Sequence, residues 1–206
     1  MFHFFLKGGP IMYPLLLCSI IALTVIIERA IFWVRERGSR NQGLVDAILE
    51  NAERAEYNEA ARIGSGSNDY VVRILVCGIV HRNFSLNSAL EMAAAVEIKR
   101  MKRFMNMLDT MVTVSPLLGI FGTVTGIIRS FEAIGASGAQ NPMAVTGGIA
   151  EALITTAAGL TIAIPSLFFF NYFNSRIEDA LHEIETYSTS LEIVHEKNKA
   201  INGPEQ

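Results

Sequence analysis

Three long stretches without a charged side chain interrupt an otherwise mixed pattern of apolar and charged residues. They cover residues 8–27, 110–128 and 152–175, and the first continues through the apolar residues 30–34. An α-helix rises about 1.5 Å per residue, so roughly 20 residues cross the hydrocarbon layer of a bilayer. Backbone groups inside lipid find no water and must hydrogen-bond within a helix. The pattern therefore predicts an all-α, polytopic membrane protein with three transmembrane helices.

A cleaved signal peptide is the alternative interpretation of the first apolar run. The region before that run carries Lys7 as its cation, and no A-x-A-like cleavage site follows it. The run is followed instead by Glu28, Arg29 and then Trp33, an aromatic residue typical of membrane interfaces. We therefore expect a retained span.

The distribution of cations predicts the orientation of the spans. The connection between the second and third spans, residues 133–150, contains no Lys or Arg, whereas the segment between the first two spans is basic at both ends. Cytoplasmic connections of membrane proteins carry the excess of Lys and Arg. We therefore expect the long segment and the C-terminus in the cytoplasm and the N-terminus outside. The cations concerned are Arg29, Arg35, Arg37, Arg40, Lys99, Arg100, Lys102 and Arg103.

The cytoplasmic parts show the spacing of amphipathic helices. Apolar residues recur every three to four positions between residues 44 and 52. Residues 64–69 then form a turn, because their GxG lacks the remainder of a phosphate-binding motif. No Gly or Pro interrupts residues 89–115, so we expect one helix to run without a joint from the cytoplasm into the second span. Residues 180–200 similarly continue the third span, and these extensions predict a cytoplasmic helical bundle.

The predicted organisation therefore has six parts. They are an outside N-terminus with the first span (1–34), a cytoplasmic helical region (35–104), the second span (105–131), a short periplasmic loop (132–143), the third span (144–175) and a cytoplasmic C-terminal helix (176–206).

Composition narrows the classes of function. Of 206 residues, 50% are hydrophobic and 18% charged, below the roughly 25% charge of soluble domains. The net charge of −3 argues against a nucleic-acid binder. Cys18, Cys77 and four scattered histidines have no ligand spacing, so we expect no metal and no cofactor. Intramembrane proteases and lipid transferases require motifs such as HExxH or GxSxG, which are absent from the sequence, so we do not expect an enzyme.

Small and polar residues form stripes along the second and third spans. Small residues let helix backbones approach closely, which makes helix packing the expected role of the glycines. Pro116 and Pro165 each leave a carbonyl without its helical donor and permit a kink. The residues assigned to packing are Pro116, Gly119, Gly122, Gly126, Gly159 and Pro165.

Glu151 does not fit this packing interpretation. Counted from residue 144 it lies about 10 Å down the third span. An ionised carboxylate near the bilayer centre costs on the order of 3 kcal/mol. We therefore expect it to face the bundle interior, to be protonated part of the time, or to meet a cation. An ion-path role is favoured over a structural hydrogen bond.

Two threonines are predicted to lie at similar depth. Thr123 is about 12 Å and Thr156 about 15 Å below the outer connection, so antiparallel helices bring their hydroxyls to one level. Thr155 is assigned to the same ion pathway. A polar band without a central aspartate is an incomplete proton relay, so another chain should supply a carboxylate.

Two motifs carry a family resemblance. Residues 115–126 (SPLLGIFGTVTG) followed by Phe131 resemble the second-helix signature of the MotA/TolQ/ExbB proton channel family. Residues 148–160 (GIAEALITTAAGL), then 163–165 (AIP) and Asn171, resemble its third-helix signature. The resemblance covers nearly the whole chain and is greatest to the ExbB branch, although Ser115 replaces the usual alanine and Arg129 adds a charge.

The resemblance implies a pentameric subunit of the bacterial inner membrane that surrounds a single-span ExbD/TolR-like partner. The partner's aspartate would enter a pore lined by Thr123 and Thr156, with Glu151 as the third-helix acid. Such complexes use the proton motive force to drive a TonB- or TolA-like protein. A TolQ-like role in envelope maintenance and a non-conducting membrane scaffold are the alternatives. A MotA-like stator would be expected to have four spans.

Overall fold

The computed structural model describes residues 7–137 and 142–202, and this part of the chain is helical without a β-strand. Three helical stretches within it are long and apolar enough to cross a membrane. The all-α fold with three spans is therefore confirmed. The helices are α1 (Met12–Ser39), α2 (Gln42–Glu53), α3 (Tyr57–Gly64), α4 (Tyr70–Val80), α5 (Arg82–Met101), α6 (Met105–Ser137) and α7 (Pro142–Asn202).

The chain divides into two compact units. The span unit comprises Met1–Arg29 and Phe104–Phe173, and the second unit comprises Ala30–Arg103 and Asn174–Gln206. Residues 138–141 lie outside the described residues. The predicted loop at 132–143 is partly helical, because α6 extends to Ser137 and α7 begins at Pro142.

One stripe of α1 packs inside the span unit. Leu15, Cys18, Ala22 and Val25 are at most 7% exposed and recur at helical spacing. Other apolar side chains of the helix, such as Leu17, are exposed. This stripe of the first span therefore packs inside the protein, and the sequence could not separate it from the apolar background of the helix.

The second unit is a helical bundle with an apolar core. Helices α2 and α4 contribute fully buried side chains, including Ile48 and Leu75, and α7 contributes Leu191. Near the end of α7 the Asn198 amide donates to the Ala52 carbonyl at 2.7 Å. The predicted continuation of the third span into a bundle helix is confirmed, since α7 is one helix to Asn202.

Asp69 organises the turn before α4. Its side chain is fully buried and accepts hydrogen bonds from the backbone N–H of Val71 at 2.9 Å and of Asn41 at 2.8 Å. The Arg40 guanidinium donates to the same carboxylate at 2.7 and 2.8 Å. Asp69 thus caps α4 and ties it to the segment before α2. The turn predicted at residues 64–69 is confirmed.

The expected joint-free helix from residue 89 to residue 115 is wrong. Helix α5 ends at Met101, and α6 begins at Met105. Phe104 adopts a left-handed backbone with φ of 63°, a conformation that ends a helix and that bulky residues rarely adopt. Ala55, with φ of 60°, similarly separates α2 from α3. Neither break carries the Gly or Asn that normally signals one.

Candidate functional site: a threonine pair between two glycine-packed helices

Helices α6 and α7 approach each other backbone to backbone inside the span unit. A Cβ atom placed on Gly126 would lie 2.7 Å from the Gly148 carbonyl oxygen, and one on Gly159 would lie 2.5 Å from the Ser115 carbonyl oxygen. A Cβ on Gly119 would lie 3.0 Å from the Thr155 carbonyl oxygen. No side chain fits these contacts without displacing main chain. The glycines therefore have the close approach expected of helix packing.

Both span prolines lie inside continuous helices. A serine beside each proline donates to a carbonyl of the preceding turn: Ser115 to Met111 at 2.6 Å and Ser166 to Ile162 at 2.7 Å. Neither bond goes to the carbonyl that the proline ring leaves without its helical donor, which belongs to Val112 for Pro116 and to Thr161 for Pro165.

The hydroxyls of Thr123 on α6 and Thr156 on α7 contact each other directly. Thr123 Oγ1 also lies 3.2 Å from the Gly119 carbonyl oxygen and 3.3 Å from the Ala152 carbonyl oxygen. Thr156 Oγ1 lies 3.2 Å from the same Gly119 carbonyl oxygen. The predicted common depth of the two hydroxyls is confirmed, while their role stays a prediction.

This geometry gives the hydroxyl pair more acceptors than protons. Each threonine has one O–H to donate and two lone pairs that accept. If both hydroxyls donate to the nearby main-chain carbonyl oxygens, the lone pairs of the hydroxyl oxygens remain free to accept a hydrogen bond. If one hydroxyl donates to the other instead, the carbonyl oxygen to which it would have donated loses that hydrogen bond. Both residues are half-buried in this chain, so part of each lies at its surface.

Thr155 occupies a different position from this pair. It is fully buried, and its hydroxyl donates within α7, to the Ala152 carbonyl at 2.9 Å. A Cβ on Gly122 would collide with the Thr155 side chain. Its surroundings are those of a packing residue, and its assignment to the ion pathway stays a prediction.

Glu151 forms an ion pair with Arg129 across the α6–α7 contact. Arg129 Nη1 lies 2.5 Å from Glu151 Oε1, and the side chains are 47% and 17% exposed. From the sequence we expected Glu151 to face the bundle interior, to be protonated part of the time, or to meet a cation. The structure shows the third of these, with Arg129 as the cation. The pair lies toward the C-terminus of α6 and the N-terminus of α7, one to two turns from the threonine pair along each helix.

The backbone of Gly9 lies against this ion pair. Gly9 has φ of 67°, and a Cβ there would overlap the Glu151 carboxylate and lie 3.3 Å from Arg129 Nη1. A left-handed conformation and a close approach together explain why glycine stands here. The Gly8-Gly9-Pro10 sequence signals such a turn, but its position beside Glu151 is not readable from sequence.

The described residues contain no group of three or more His, Cys, Asp or Glu side chains that could hold a metal ion. The site is built instead from hydroxyls, main-chain carbonyls and one ion pair. These groups can orient and pass hydrogen bonds but supply no nucleophile with an adjacent base.

The helices that carry this site also carry the family match. The profile described as the MotA/TolQ/ExbB proton channel family matches residues 72–186, more than half of the chain. The chain belongs to the MotA/TolQ/ExbB proton channel family. The resemblance inferred from the two span motifs is thereby confirmed, and the matched segment contains Thr123, Glu151 and Thr156.

Relatives of this ExbB-like protein match along most of its length. It is 36% identical over 199 residues to the biopolymer transport protein ExbB-like 3 of Synechocystis sp., which covers 93% of each chain. It is 37% identical over 201 residues to ExbB-like 1 of the same organism, covering 93% of this chain and 77% of the relative. The ExbB homolog of Methanothermobacter thermautotrophicus is 33% identical over 185 residues, covering 88% of this chain and 65% of the relative. The family is one of membrane transport and channel proteins.

Proposed function

We propose that this chain is an ExbB-like subunit of a proton-driven channel in the bacterial inner membrane. Copies of the chain, five by family likeness, form a ring around an ExbD-like single-span partner. The complex uses the proton motive force to energise TonB-dependent import across the outer membrane. The N-terminus lies in the periplasm and the C-terminus in the cytoplasm, as the distribution of Lys and Arg favours.

The observation that carries this proposal is the contact between the Thr123 and Thr156 hydroxyls. Both residues lie within the span unit and are half-buried in this chain, and the glycine contacts around them leave little room for rearrangement. Its lone pairs and protons are suited to solvating a carboxylate or water that carries a proton. Hydroxyls cannot themselves take up a proton at physiological pH, so the partner must supply the titrating group.

The mechanism we infer is alternating neutralisation of the partner's carboxylate. When ionised, it accepts hydrogen bonds from one threonine pair, and charge-assisted bonds of this kind are the stronger ones. When protonated, it loses much of that attraction and can move to the pair of the next subunit. Each proton that crosses the membrane releases about 2.3 kcal/mol per 100 mV of membrane potential. This free energy drives the movement from one subunit to the next in a single direction.

The test is complementation in a bacterium that lacks its own ExbB, ExbD, TolQ and TolR. The chain is expressed with its ExbD-like partner, and growth on chelated iron is measured beside resistance to detergent. We expect restored TonB-dependent growth and no restored detergent resistance. Restoration of detergent resistance alone would favour the TolQ-like role, and restoration of neither by a stably inserted complex would favour a non-conducting scaffold.

A further inference from the structure

Exposed cations border the contact between α1 and α5 in the second unit. The Arg100 guanidinium of α5 lies 5.4 Å from the centre of the Phe32 ring of α1 and 3.8 Å from the Glu36 carboxylate. Arg35 directly precedes Glu36 along α1 and is exposed. Lys99 directly precedes Arg100 along α5 and is also exposed. The contact therefore brings exposed cations from the ends of two helices into one region of the unit.

The acids of these two helix ends are buried and already engaged. In residues 30–40 and 97–103 they are Glu36 and Glu97, which are 5% and 9% exposed. Glu97 lies 2.7 Å from Arg73 and 3.5 Å from Arg100. Glu36 lies 3.9 Å from Arg73 and 3.8 Å from Arg100. These two carboxylates therefore balance Arg73 and Arg100 inside the unit and leave the charge of its surface to the cations.

The surface of this region carries an excess of positive charge. Arg37 is exposed but lines a cleft together with Asp179 and Glu183, which offset part of its charge. The other cations that the two helix ends expose lie outside that cleft, and we call them the basic surface: Arg35, Lys99, Lys102 and Arg103.

An exposed apolar stripe of α1 leads to this basic surface. Ile27 and Ile31 are 51% and 48% exposed, and Arg35 follows one turn after Ile31. Side chains four residues apart lie on the same side of a helix, one above the other. A lipid whose acyl chain lies along Ile27 and Ile31 therefore brings its headgroup to the level of Arg35.

The α5 cations lie directly before the second span. Helix α6 begins at Met105, and consecutive Cα atoms are 3.8 Å apart, so Lys102 lies within about 11 Å of that residue. Clusters of Lys and Arg immediately cytoplasmic of a span attract anionic lipids. The basic surface thus has the position and the charge of a lipid-binding surface, at a place where two spans leave the membrane.

We propose that the basic surface binds anionic phospholipids of the cytoplasmic leaflet, with phosphatidylglycerol as the simplest example. One acyl chain lies along the stripe of Ile27 and Ile31, and the headgroup phosphate is attracted by Arg35, Lys99 and Lys102. A choline lipid offers the same phosphate but adds an ammonium, which these cations repel. The surface therefore selects lipids by net charge. Only the assignment to a leaflet rests on the proposed function.

The single tryptophan, Trp33, is a reporter two residues from Arg35. The full-length chain is reconstituted without a partner in phosphatidylcholine bilayers that contain increasing fractions of dibrominated phosphatidylglycerol or dibrominated phosphatidylcholine. Brominated chains quench tryptophan fluorescence at short range, so the titration gives the relative affinity of the two lipids near Trp33. One cation beside an anionic surface contributes a factor of about five.

We expect about a tenfold preference for phosphatidylglycerol at about 20 mM salt. At about 500 mM salt the preference should fall below threefold, because the charges are then screened over a few ångströms. Equal quenching by the two brominated lipids at low salt would overturn the proposal and would leave the cations a role in orienting the spans only.

Matched lysine pairs test the location. Lys99→Gln combined with Lys102→Gln should reduce the preference to about twofold, whereas replacing both with arginine should retain it. Lys197→Gln combined with Lys199→Gln is the control, because these exposed lysines lie about 33 Å along α7 from the end of its uncharged run. Equal losses in the two glutamine pairs would contradict a local surface. Arg35→Gln, on the other helix, should reduce the preference to about threefold even if the α5 variant does not fold.

A soluble anion distinguishes a lipid from free phosphate as the ligand. Inorganic phosphate at about 10 mM should lower the preference no more than sodium chloride of the same ionic strength does. A larger loss with phosphate would assign the surface to a soluble anion and overturn the proposal. These measurements use the chain without its partner, so their failure is distinguishable from a failure of proton transport.

Discussion

The ion pair between Arg129 and Glu151 yields a prediction whose sign depends on which partner is removed. Arg129 lies toward the C-terminus of α6 and Glu151 toward the N-terminus of α7, and their side chains meet at 2.5 Å. Glu151→Gln leaves an uncompensated cation near the proposed path. Arg129→Gln leaves an uncompensated anion. The double variant leaves no net charge, like the original pair.

The size of the effect follows from the helix geometry. Six residues separate Thr123 from Arg129, which is about 9 Å along the axis. Two unit charges 9 Å apart interact by about 2 kcal/mol at an effective dielectric constant of about 20. Since 1.36 kcal/mol corresponds to a factor of ten, an uncompensated Arg129 should slow proton passage at the threonine pair about 20-fold.

The assay is proton uptake by proteoliposomes that contain the chain with its ExbD-like partner at a fixed membrane potential. Glu151→Gln is expected to slow uptake about 20-fold. Arg129→Gln is expected to be no slower than the original protein. Arg129→Gln combined with Glu151→Gln is expected to recover to within about threefold of it, because both charges are gone.

The double variant is the decisive comparison. If it is as slow as Glu151→Gln alone, Glu151 carries protons itself and the electrostatic reasoning is refuted. If all three variants match the original protein, the ion pair has no influence on the path. Glu178→Gln, an exposed acid of α7 outside the span unit, serves as the control for loss of a carboxylate.

Two further predictions concern stability. Asp69→Ala removes a helix cap and leaves buried partners without an acceptor, so it should lower the free energy of unfolding by about 3–5 kcal/mol, whereas exposed Asp46→Ala should change it by less than about 0.5 kcal/mol. Urea unfolding followed by fluorescence of the single tryptophan measures this, and equal midpoints would contradict it. Gly126→Ala should destabilise the span unit by about 1–3 kcal/mol through overpacking, whereas Gly147→Ala, which meets open space, should not. Thermal unfolding in detergent measures this pair, and equal losses would show that α6 and α7 separate easily.

The spans and the shared depth of the two threonine hydroxyls were predictable because both depend on helical rise. Uncharged length identifies a span, and counting residues from a shared end places two hydroxyls at one level. Glycine spacing likewise predicted the packed face. These inferences need only one coordinate along each helix, and the structure agrees with them.

The Arg129–Glu151 ion pair and the helix break at Phe104 could not be predicted by counting residues along each helix. Pairing Arg129 with Glu151 depends on the rotation of α6 against α7, which residue depth does not specify. The break at Phe104 uses a left-handed phenylalanine, where surrounding structure overrides local preference. Asp69 was assigned only to a turn, since its partner Arg40 lies 29 residues away in sequence.

The most direct test of the central claim is proton uptake after removal of each hydroxyl of the threonine pair. Valine replaces threonine with nearly the same shape, so Thr123→Val and Thr156→Val remove the oxygen and keep most of the packing. Thr125→Val and Thr161→Val are the matched controls, because their hydroxyls donate only to carbonyls of their own helix. In proteoliposomes with the ExbD-like partner, we expect at least tenfold slower uptake for the first two variants and unchanged uptake for the controls. The account would be contradicted if Thr123→Val and Thr156→Val both took up protons as fast as the unsubstituted protein in complexes that retain the partner.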